Sequence, residues 1–209
     1  MLKHVIPALS LKKELKQLNI LDICYGLGFN TLATLYYHKK NSHNSKLCIY
    51  SPELDAQLLA SLKNFTYPKE FDDFKHIIEK LSRDSIYDDE NLYIEIFVGD
   101  AREYVRKFEN KFDIVYQDAF SPSANPTLWT LEYFTDIKRA MREDGVLTTY
   151  SIALATRLAL WQNGFNIYTN SSNNIRVSTL ASMQKLQNFK EVDMKHKISC
   201  NPDAKPLRD

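Results

Sequence analysis

The feature that most constrains this chain is alternation: short apolar runs, each closed by a turn and followed by residues at helical spacing. Asn19–Cys24 (NILDIC) is the first run, and a glycine-containing turn leads from it into a helical stretch over Asn30–Lys39. Lys46–Tyr50 is a second strand, followed by the amphipathic segment Leu54–Lys63, and apolar residues at 71, 74, 77, 78 and 81 predict a helix over Phe71–Ser82. Asn91–Val98 alternates as a third strand, Ala101–Phe108 is helical, and Phe112–Gln117 is a fourth strand. A helix over Leu131–Met141 meets a stop and turn at Asp144-Gly145, a fifth strand covers Val146–Ser151, and a helix over Ala153–Gln162 stops at Asn163-Gly164. Strands alternating with helices over short connections imply an α/β fold: a doubly wound, mostly parallel sheet with helices on both faces. No repeat or Pro/Gly-rich linker divides the 209 residues, so the expectation is one domain over 1–209. A chain of this length buries roughly 70% of its unfolded surface.

Composition narrows the classes. With 44% apolar and 25% charged residues the chain reads as globular and not disordered. No apolar run approaches the roughly 20 residues of a membrane span, and Met1–Ser10 is too short and polar for a signal peptide. Cys24, Cys48 and Cys200 lack a CxxC spacing and read as reduced structural thiols, which implies a cytoplasmic protein. His4, His38, His43, His76 and His196 are scattered and read as surface residues, so no metal site is expected. A net charge of +1 neither requires nor excludes nucleic acid, and any basic surface must be local.

In a doubly wound sheet ligands bind beyond the carboxyl ends of the strands, where strand order reverses. After the first strand comes Asp22-Ile23-Cys24-Tyr25-Gly26-Leu27-Gly28-Phe29-Asn30. Its glycines permit a tight turn and close ligand approach, although such a pair also occurs in plain turns. Thr31 stands where a dinucleotide fingerprint has its third glycine, and no GxxxxGK[ST] is present. A two-glycine turn preceded by Asp22 suits S-adenosylmethionine, which has no pyrophosphate, better than NAD. That reading makes the chain a Rossmann-like class I methyltransferase, with Tyr25, Gly26, Gly28 and Asn30 at the cofactor. Glu53, at the end of the second strand, is placed to accept from a ribose diol, or else serves as an N-cap or first-turn acid. Asp100 and Ala101 follow the third strand, where Asp100 can accept from an adenine amino group, cap the next helix, or do both.

The fourth strand leads into Asp118-Ala119-Phe120-Ser121-Pro122-Ser123-Ala124-Asn125-Pro126-Thr127-Leu128-Trp129. The loop is similar to the (Asp/Asn)-Pro-Pro-aromatic loops of enzymes that methylate amines, in which acceptors hold the amine protons so that the lone pair faces the methyl group, and that resemblance makes Asp118 the candidate catalytic residue. Phe120, Pro122, Asn125, Pro126 and Trp129 form a rigid aromatic loop suited to a planar substrate, although Trp129 reads slightly better as a core residue.

Together LDICYGLGFNTL (21–32), SPELD (51–55), FVGDAREY (97–104), DAFSPSANPTLW (118–129) and PDAKPLRD (202–209) resemble the methyltransferase domain of the MnmC family. The resemblance implies S-adenosylmethionine-dependent N-methylation of 5-aminomethyl(-2-thio)uridine at the tRNA wobble position, giving 5-methylaminomethyl(-2-thio)uridine. It implies cofactor contacts at Gly26, Gly28, Glu53 and Asp100 and a central catalytic role for Asp118. The implied partner is a tRNA anticodon stem-loop, with no membrane or metal, and functional coupling to a separate wobble-uridine modification enzyme. Three features depart from the family. Cys24 stands where members often have Gly, tolerable if its side chain points into the sheet. Ser171–Arg176 replaces a Gly-rich, Lys-Arg hairpin but keeps Arg176 as a substrate contact. A segment with a Tyr-His-Ser motif that usually precedes the first strand is missing, as is the flavin-dependent oxidoreductase domain fused in some members. Candidates for a phosphate-binding patch at the site mouth are Arg157, Arg176, Lys185, Lys190, Lys195 and Lys197, each of which taken singly reads as a solvated charge. Two other classes stay open on the sequence: an NAD-dependent oxidoreductase, and a noncatalytic S-adenosylmethionine- or RNA-binding protein.

Overall fold

A computed structural model describes residues 3–41, 45–172 and 175–209. The first half runs α1 (Val5–Ser10), β1 (Gln17–Ile23), α2 (Phe29–Lys40), β2 (Lys46–Glu53), α3 (Ala56–Ser61), α4 (Lys75–Asp84), β3 (Ile86–Asp88) and β4 (Leu92–Val98). The second runs α5 (Ala101–Val105), β5 (Phe112–Gln117), α6 (Leu131–Ala140), β6 (Met141–Thr149), α7 (Leu154–Gln162), β7 (Asn166–Ser172), β8 (Ile175–Ser182), β9 (Lys190–Glu191) and α8 (Met194–Ser199). Among the described residues the sheet has nine strands in the order β3-β4-β2-β1-β5-β6-β8-β7-β9. The five strands from β4 to β6 pair parallel, and β3, β8, β7 and β9 join antiparallel. The doubly wound, mostly parallel sheet expected from the alternation is therefore present. Its order reverses between β1 and β5, which opens a crevice at their carboxyl ends.

β1 and β5 are buried along nearly their whole length because helices cover both faces of the sheet. Successive residues point to opposite faces, so Ile20 and Ile114 pack into one core with α1, α2 and α4, whereas Leu21 and Val115 pack into the other with α5, α6 and α7. Within α4, Ile77, Ile78 and Leu81 form the buried stripe.

Several boundaries move for identifiable reasons. The helix predicted over 71–82 is a 3-10 turn at Lys69–Phe74 followed by α4, which ends at Ser85 in a left-handed conformation. Asp144-Gly145 is not a helix stop: α6 ends at Ala140, and both residues lie inside β6, where its register with β5 shifts between Phe112 and Ile114. A Cβ on Gly145 would meet the Arg142 carbonyl at 2.8 Å, so the irregular strand needs glycine there. α1, β3, β9, α8 and the β7–β8 pair carry too little periodicity to be read from the sequence. The expected hairpin position falls between β7 and β8, and its Asn173-Asn174 lies outside the described residues, as does His43.

The segment PDAKPLRD crosses α5 and α6. The Leu131 N–H donates to the Leu207 carbonyl, both Arg102 Nη groups donate to the Asp209 carboxylate, and Arg208 Nε donates to Glu132. Among the described residues no helix is long and apolar enough to cross a membrane, and no group of three or more His, Cys, Asp or Glu is placed to hold a metal ion.

Candidate functional site

The turn after β1 is built from left-handed backbone: Cys24, Gly26 and Gly28 have φ of 65°, 55° and 72°. Gly28 has a second reason to be glycine, since a Cβ there would lie 2.7 Å from Tyr25 Oη. The Tyr25 ring is almost fully buried beneath this turn, and the Gly28 N–H donates to the Tyr25 carbonyl at 2.8 Å. Cys24, half-buried, packs against the core that holds Leu21 and Val115. It ends the strand in a conformation that L side chains adopt at a cost of about 1–2 kcal/mol, and it lines the cavity beside the turn. Burial first, then the charges of Glu53, Asp22, Asp118 and Asp100, push its thiol up to about 12, so it is a neutral wall and not a nucleophile.

Glu53 ends β2 and stitches the turn to its neighbour strand: Oε2 accepts from the Gly26 N–H at 2.7 Å and Oε1 from the Asp55 N–H at 2.9 Å. It is not the helix cap considered above. Asp55 caps α3, through Gln57 and Leu58, and Glu53 faces the cavity instead. Asp100 does cap α5, but one oxygen, Oδ1, accepts from both the Arg102 and Glu103 N–H groups and Oδ2 is left over.

At the end of β5 the Asp118 carboxylate is held on both oxygens. Oδ2 accepts from Asn30 Nδ2 at 2.9 Å, and Oδ1 lies 3.3 Å from His4 Nε2. The same Asn30 nitrogen reaches Asp22 Oδ1 at 3.2 Å, and Thr31 Oγ1 donates to Asp22 Oδ2. Burial and the Asp118 charge push Asp22 well above the usual carboxylate range, against the Asn30 and Thr31 hydrogen bonds. Burial raises Asp118 too, but hydrogen bonds from His4 and Asn30 and the charges of His4 and Lys3 outweigh it and hold Asp118 below that range. His4 is the residue that sequence reasoning missed. It is 5% exposed, not a surface histidine, and its other ring nitrogen sits 3.1 Å from Thr148 Oγ1 on β6. The available signal was its place at the head of the apolar run Val5–Leu9, whose Val5, Pro7, Ala8 and Leu9 are buried.

The loop 118–129 is fastened at its ends. Trp129 is fully buried, packs on Tyr150 and Phe134, and donates Nε1–H to the Phe120 carbonyl at 2.8 Å. Its assignment as a substrate contact is therefore corrected: it anchors the loop from within the core. Tyr150 Oη donates to the Ala119 carbonyl, and Gln117 Nε2 to the Leu128 carbonyl. Between these anchors Phe120 stands 78% exposed.

Two adjoining cavities follow this arc. One of about 360 Å³ is lined by Cys24, Tyr25, Gly26, Asn30, Glu53, Asp118, Phe120 and Asn125 among others. The other, about 180 Å³, shares Cys24, Leu54 and Asn125 with it and adds Asp100 and Ala101. Gly28, Pro122 and Pro126 line neither cavity. Arg176 is exposed on β8, while Lys190, Lys195 and Lys197 lie on β9 and α8 at the far edge. At about 4.8 Å per strand, β9 is roughly 19 Å from β5, so Lys190 does not lie at the site mouth. A further cavity of about 360 Å³ at that edge, lined by Trp161, Glu191 and Lys195 among others, has no glycine turn.

An S-adenosyl-L-methionine-dependent methyltransferase family matches over residues 69–184, more than half of the chain. The crystal structure of MnmC2 from Aquifex aeolicus superposes with a TM-score of 0.84 at 30% identity, covering 100% of this chain and 68% of that one. The chain belongs to the S-adenosyl-L-methionine-dependent methyltransferases of the MnmC type. An uncharacterized protein of Methanocaldococcus jannaschii is 34% identical over 94% of this chain and 55% of its own length. The tRNA 5-methylaminomethyl-2-thiouridine biosynthesis bifunctional protein MnmC of Polaromonas naphthalenivorans is 26% identical over 70% of this chain and 24% of its own. The chain thus spans about half or less of the length of these curated relatives. The methyl-transfer chemistry supplied by S-adenosylmethionine replaces the hydride-transfer alternative. The glycine turn, the Glu53 carboxylate and the paired cavities fit this cofactor's three parts.

Gly28→Ala tests the turn. With φ positive and Tyr25 Oη in the way, it should lower Tm by several degrees and weaken S-adenosylhomocysteine binding at least tenfold in calorimetry. Unchanged Tm and affinity would show that the turn tolerates a side chain.

Proposed function

We propose that this chain N-methylates a 5-aminomethyl(-2-thio)uridine at the wobble position of tRNA. The observation that carries the reading is an ionised carboxylate, Asp118, fixed on both oxygens at the floor of a cavity whose rim bears an exposed aromatic, Phe120. The printed names of the MnmC relatives support the choice of acceptor. Cytoplasmic location and coupling to a separate wobble-uridine modification enzyme are part of the same proposal.

In this reading Tyr25, Gly26, Gly28, Asn30 and Glu53 hold the methionine and ribose parts of the cofactor, and Asp100 and Ala101 its adenine. When bound, S-adenosylmethionine supplies an electrophilic methyl group to the acceptor nitrogen. The chain's own work is alignment and proton handling. An aminomethyl group is largely protonated at neutral pH and reacts as the free amine once one proton has passed to water. Asp118, ionised, accepts hydrogen bonds from the two N–H groups that remain, so that the lone pair faces away from the carboxylate and towards the methyl group. The methylated ammonium then releases its extra proton to water. His4 and Asn30 fix the plane of that carboxylate. Phe120 stacks on the flipped-out base, with Asn125 and the prolines limiting its travel.

Three outcomes test this reading. Glu53→Ala should weaken S-adenosylhomocysteine binding by about 1–3 kcal/mol in calorimetry, from lost hydrogen bonds to ligand and turn; equal binding removes Glu53 from the site. Asp118→Asn should nearly abolish turnover yet leave cofactor affinity within a few-fold, whereas wild-type turnover at saturating substrate would end its catalytic role. Nucleoside mass spectrometry of tRNA from cells that accumulate the aminomethyl form should show conversion to methylaminomethyl uridine. A protein that binds cofactor but leaves that nucleoside unchanged keeps only the broader methyltransferase assignment, or the noncatalytic one.

A further inference from the structure

Aromatic surface spreads outward from the larger cavity, beyond the loop of Phe120. Phe29 opens α2 and is 42% exposed, although the same helix buries Leu32, Ala33 and Leu35. It lines that cavity together with Asp118 and Phe120. Its ring meets Phe65 edge-on with centroids 6.3 Å apart, and it meets Phe71 at 6.2 Å. Phe65 is itself 40% exposed. Phe71 is half-buried and leads on to Tyr36 at 6.3 Å, two helical turns along α2 from Phe29. The rings thus form a platform that starts at the cavity wall and continues over the outside of the molecule.

Part of this cluster is packing. Tyr67 is buried, contacts both Phe29 and Phe65, and donates its hydroxyl to the Leu27 carbonyl at 3.0 Å, which seats the segment 62–74 on the glycine turn. That packing fixes Phe29 and Phe65 in place but leaves much of each ring open to solvent. Contiguous exposed rings beside a cavity mark a binding surface.

Charge narrows the occupant. Among the described residues no Lys or Arg lines either cavity of the site, whereas Glu53, Asp100 and Asp118 do. A strand that approached phosphates first would bring them against these acids. A strand that approached bases first would set its apolar faces on the rings and turn its phosphates outward. The first cation on that outer side is Lys63, exposed, which lines a small cavity of about 70 Å³ with Phe65. Acids at the floor, rings at the mouth and a cation beyond them match the order of charge across such a strand. The platform is continuous with the cavity, so a second copy or another protein seated on it would crowd the mouth that the acceptor has to enter.

We propose that Phe29 and Phe65, backed by Phe71 and Tyr36, are the stacking platform for the unpaired bases that flank the target nucleotide in the acceptor RNA. The inference rests on the reading of the acceptor as RNA and adds which part of the strand is held, and how. Every base has a π face, so this contact adds affinity with little demand on sequence. It also explains how a chain of net charge +1 binds a polyanion without a basic cleft at its site.

The test uses the whole chain with S-adenosylhomocysteine bound and an anticodon stem-loop RNA carrying 5-aminomethyluridine. Phe65→Leu keeps an apolar side chain and removes the ring. Its Tm should stay within a few degrees of the wild type and its S-adenosylhomocysteine affinity within twofold. Its affinity for the stem-loop, by fluorescence anisotropy, should fall about fivefold or more, the loss of one base–aromatic stack. The log–log salt slope should not change, since no phosphate contact is lost. On a stem-loop with abasic sites flanking the target, the wild type should bind about fivefold or more weakly, and Phe65→Leu should then cost nothing further. An equal loss on both RNAs, or none on either, overturns the proposal. Phe65→Trp keeps a π face and adds a reporter whose emission the bound stem-loop should quench relative to the wild type; unquenched emission overturns the proposal even if Phe65→Leu does not fold. A dimer that Phe65→Leu disperses, with RNA binding intact, assigns the rings to a second copy and overturns it equally. If the wild type binds no stem-loop, the wobble reading fails by itself, and a short unstructured RNA decides the platform: binding that Phe65→Leu weakens keeps it, and no binding ends it.

Discussion

Two carboxyl groups side by side in a crevice resist being ionised together, and here burial and the contact with His4 set them apart while Asn30 bridges both. Its single amide nitrogen donates to Asp22 on one side and Asp118 on the other. Asp22, buried at the end of β1, is driven toward its neutral form. Asp118, half-exposed and supported by His4, is driven toward its charged form. Pairs whose environments push their titrations apart are how sites divide acid and base roles. The parallel pairing of β1 with β5, the first turn of α2 and the seating of α1 all meet at this point. A shift in any of them would disturb the charge that faces the cavity.

The glycine turn depends on a second acid in the same way. Three of its residues hold left-handed conformations, free of steric cost at Gly26 and Gly28 but costly at Cys24, where surrounding contacts must fix it. Glu53 accepts the Gly26 N–H from the neighbouring strand, and the Tyr25 ring fills the space a Gly28 side chain would need. One carboxylate therefore shapes the turn and faces the ligand cavity. A strand-end acid of this kind is structural before it is a binding group, so its loss affects more than its own contacts.

The loop after β5 divides its labour between buried and exposed aromatics. Trp129 gives its indole N–H to the backbone of Phe120 and its ring to the core, and this lets Phe120 stand out at the rim without the loop collapsing. Arg102, beside the cap residue Asp100, is likewise braced by Asp209, so the rear of the second cavity is supported by a segment far away in sequence.

Local order fixed what could be read from the chain alone. Alternating apolar runs announced the parallel sheet, and the positions just after those runs announced Gly26, Glu53, Asp100 and Asp118, because strand ends and ligand crevices coincide in this fold. What the chain alone could not reveal were relations between distant segments. His4 looked like a solvent-facing histidine until α1 packed it between β5 and β6. Trp129 stood between core residue and substrate contact until its indole found a carbonyl inside the core, and Arg157 stood between solvated charge and phosphate contact until it was buried against Thr179 of β8. In each case the residue's type was visible, but burial and partnership were decided by elements far from it in sequence. Only the folded chain sets the local dielectric and the distance to a countercharge, and those two quantities separate a solvated side chain from a functional one.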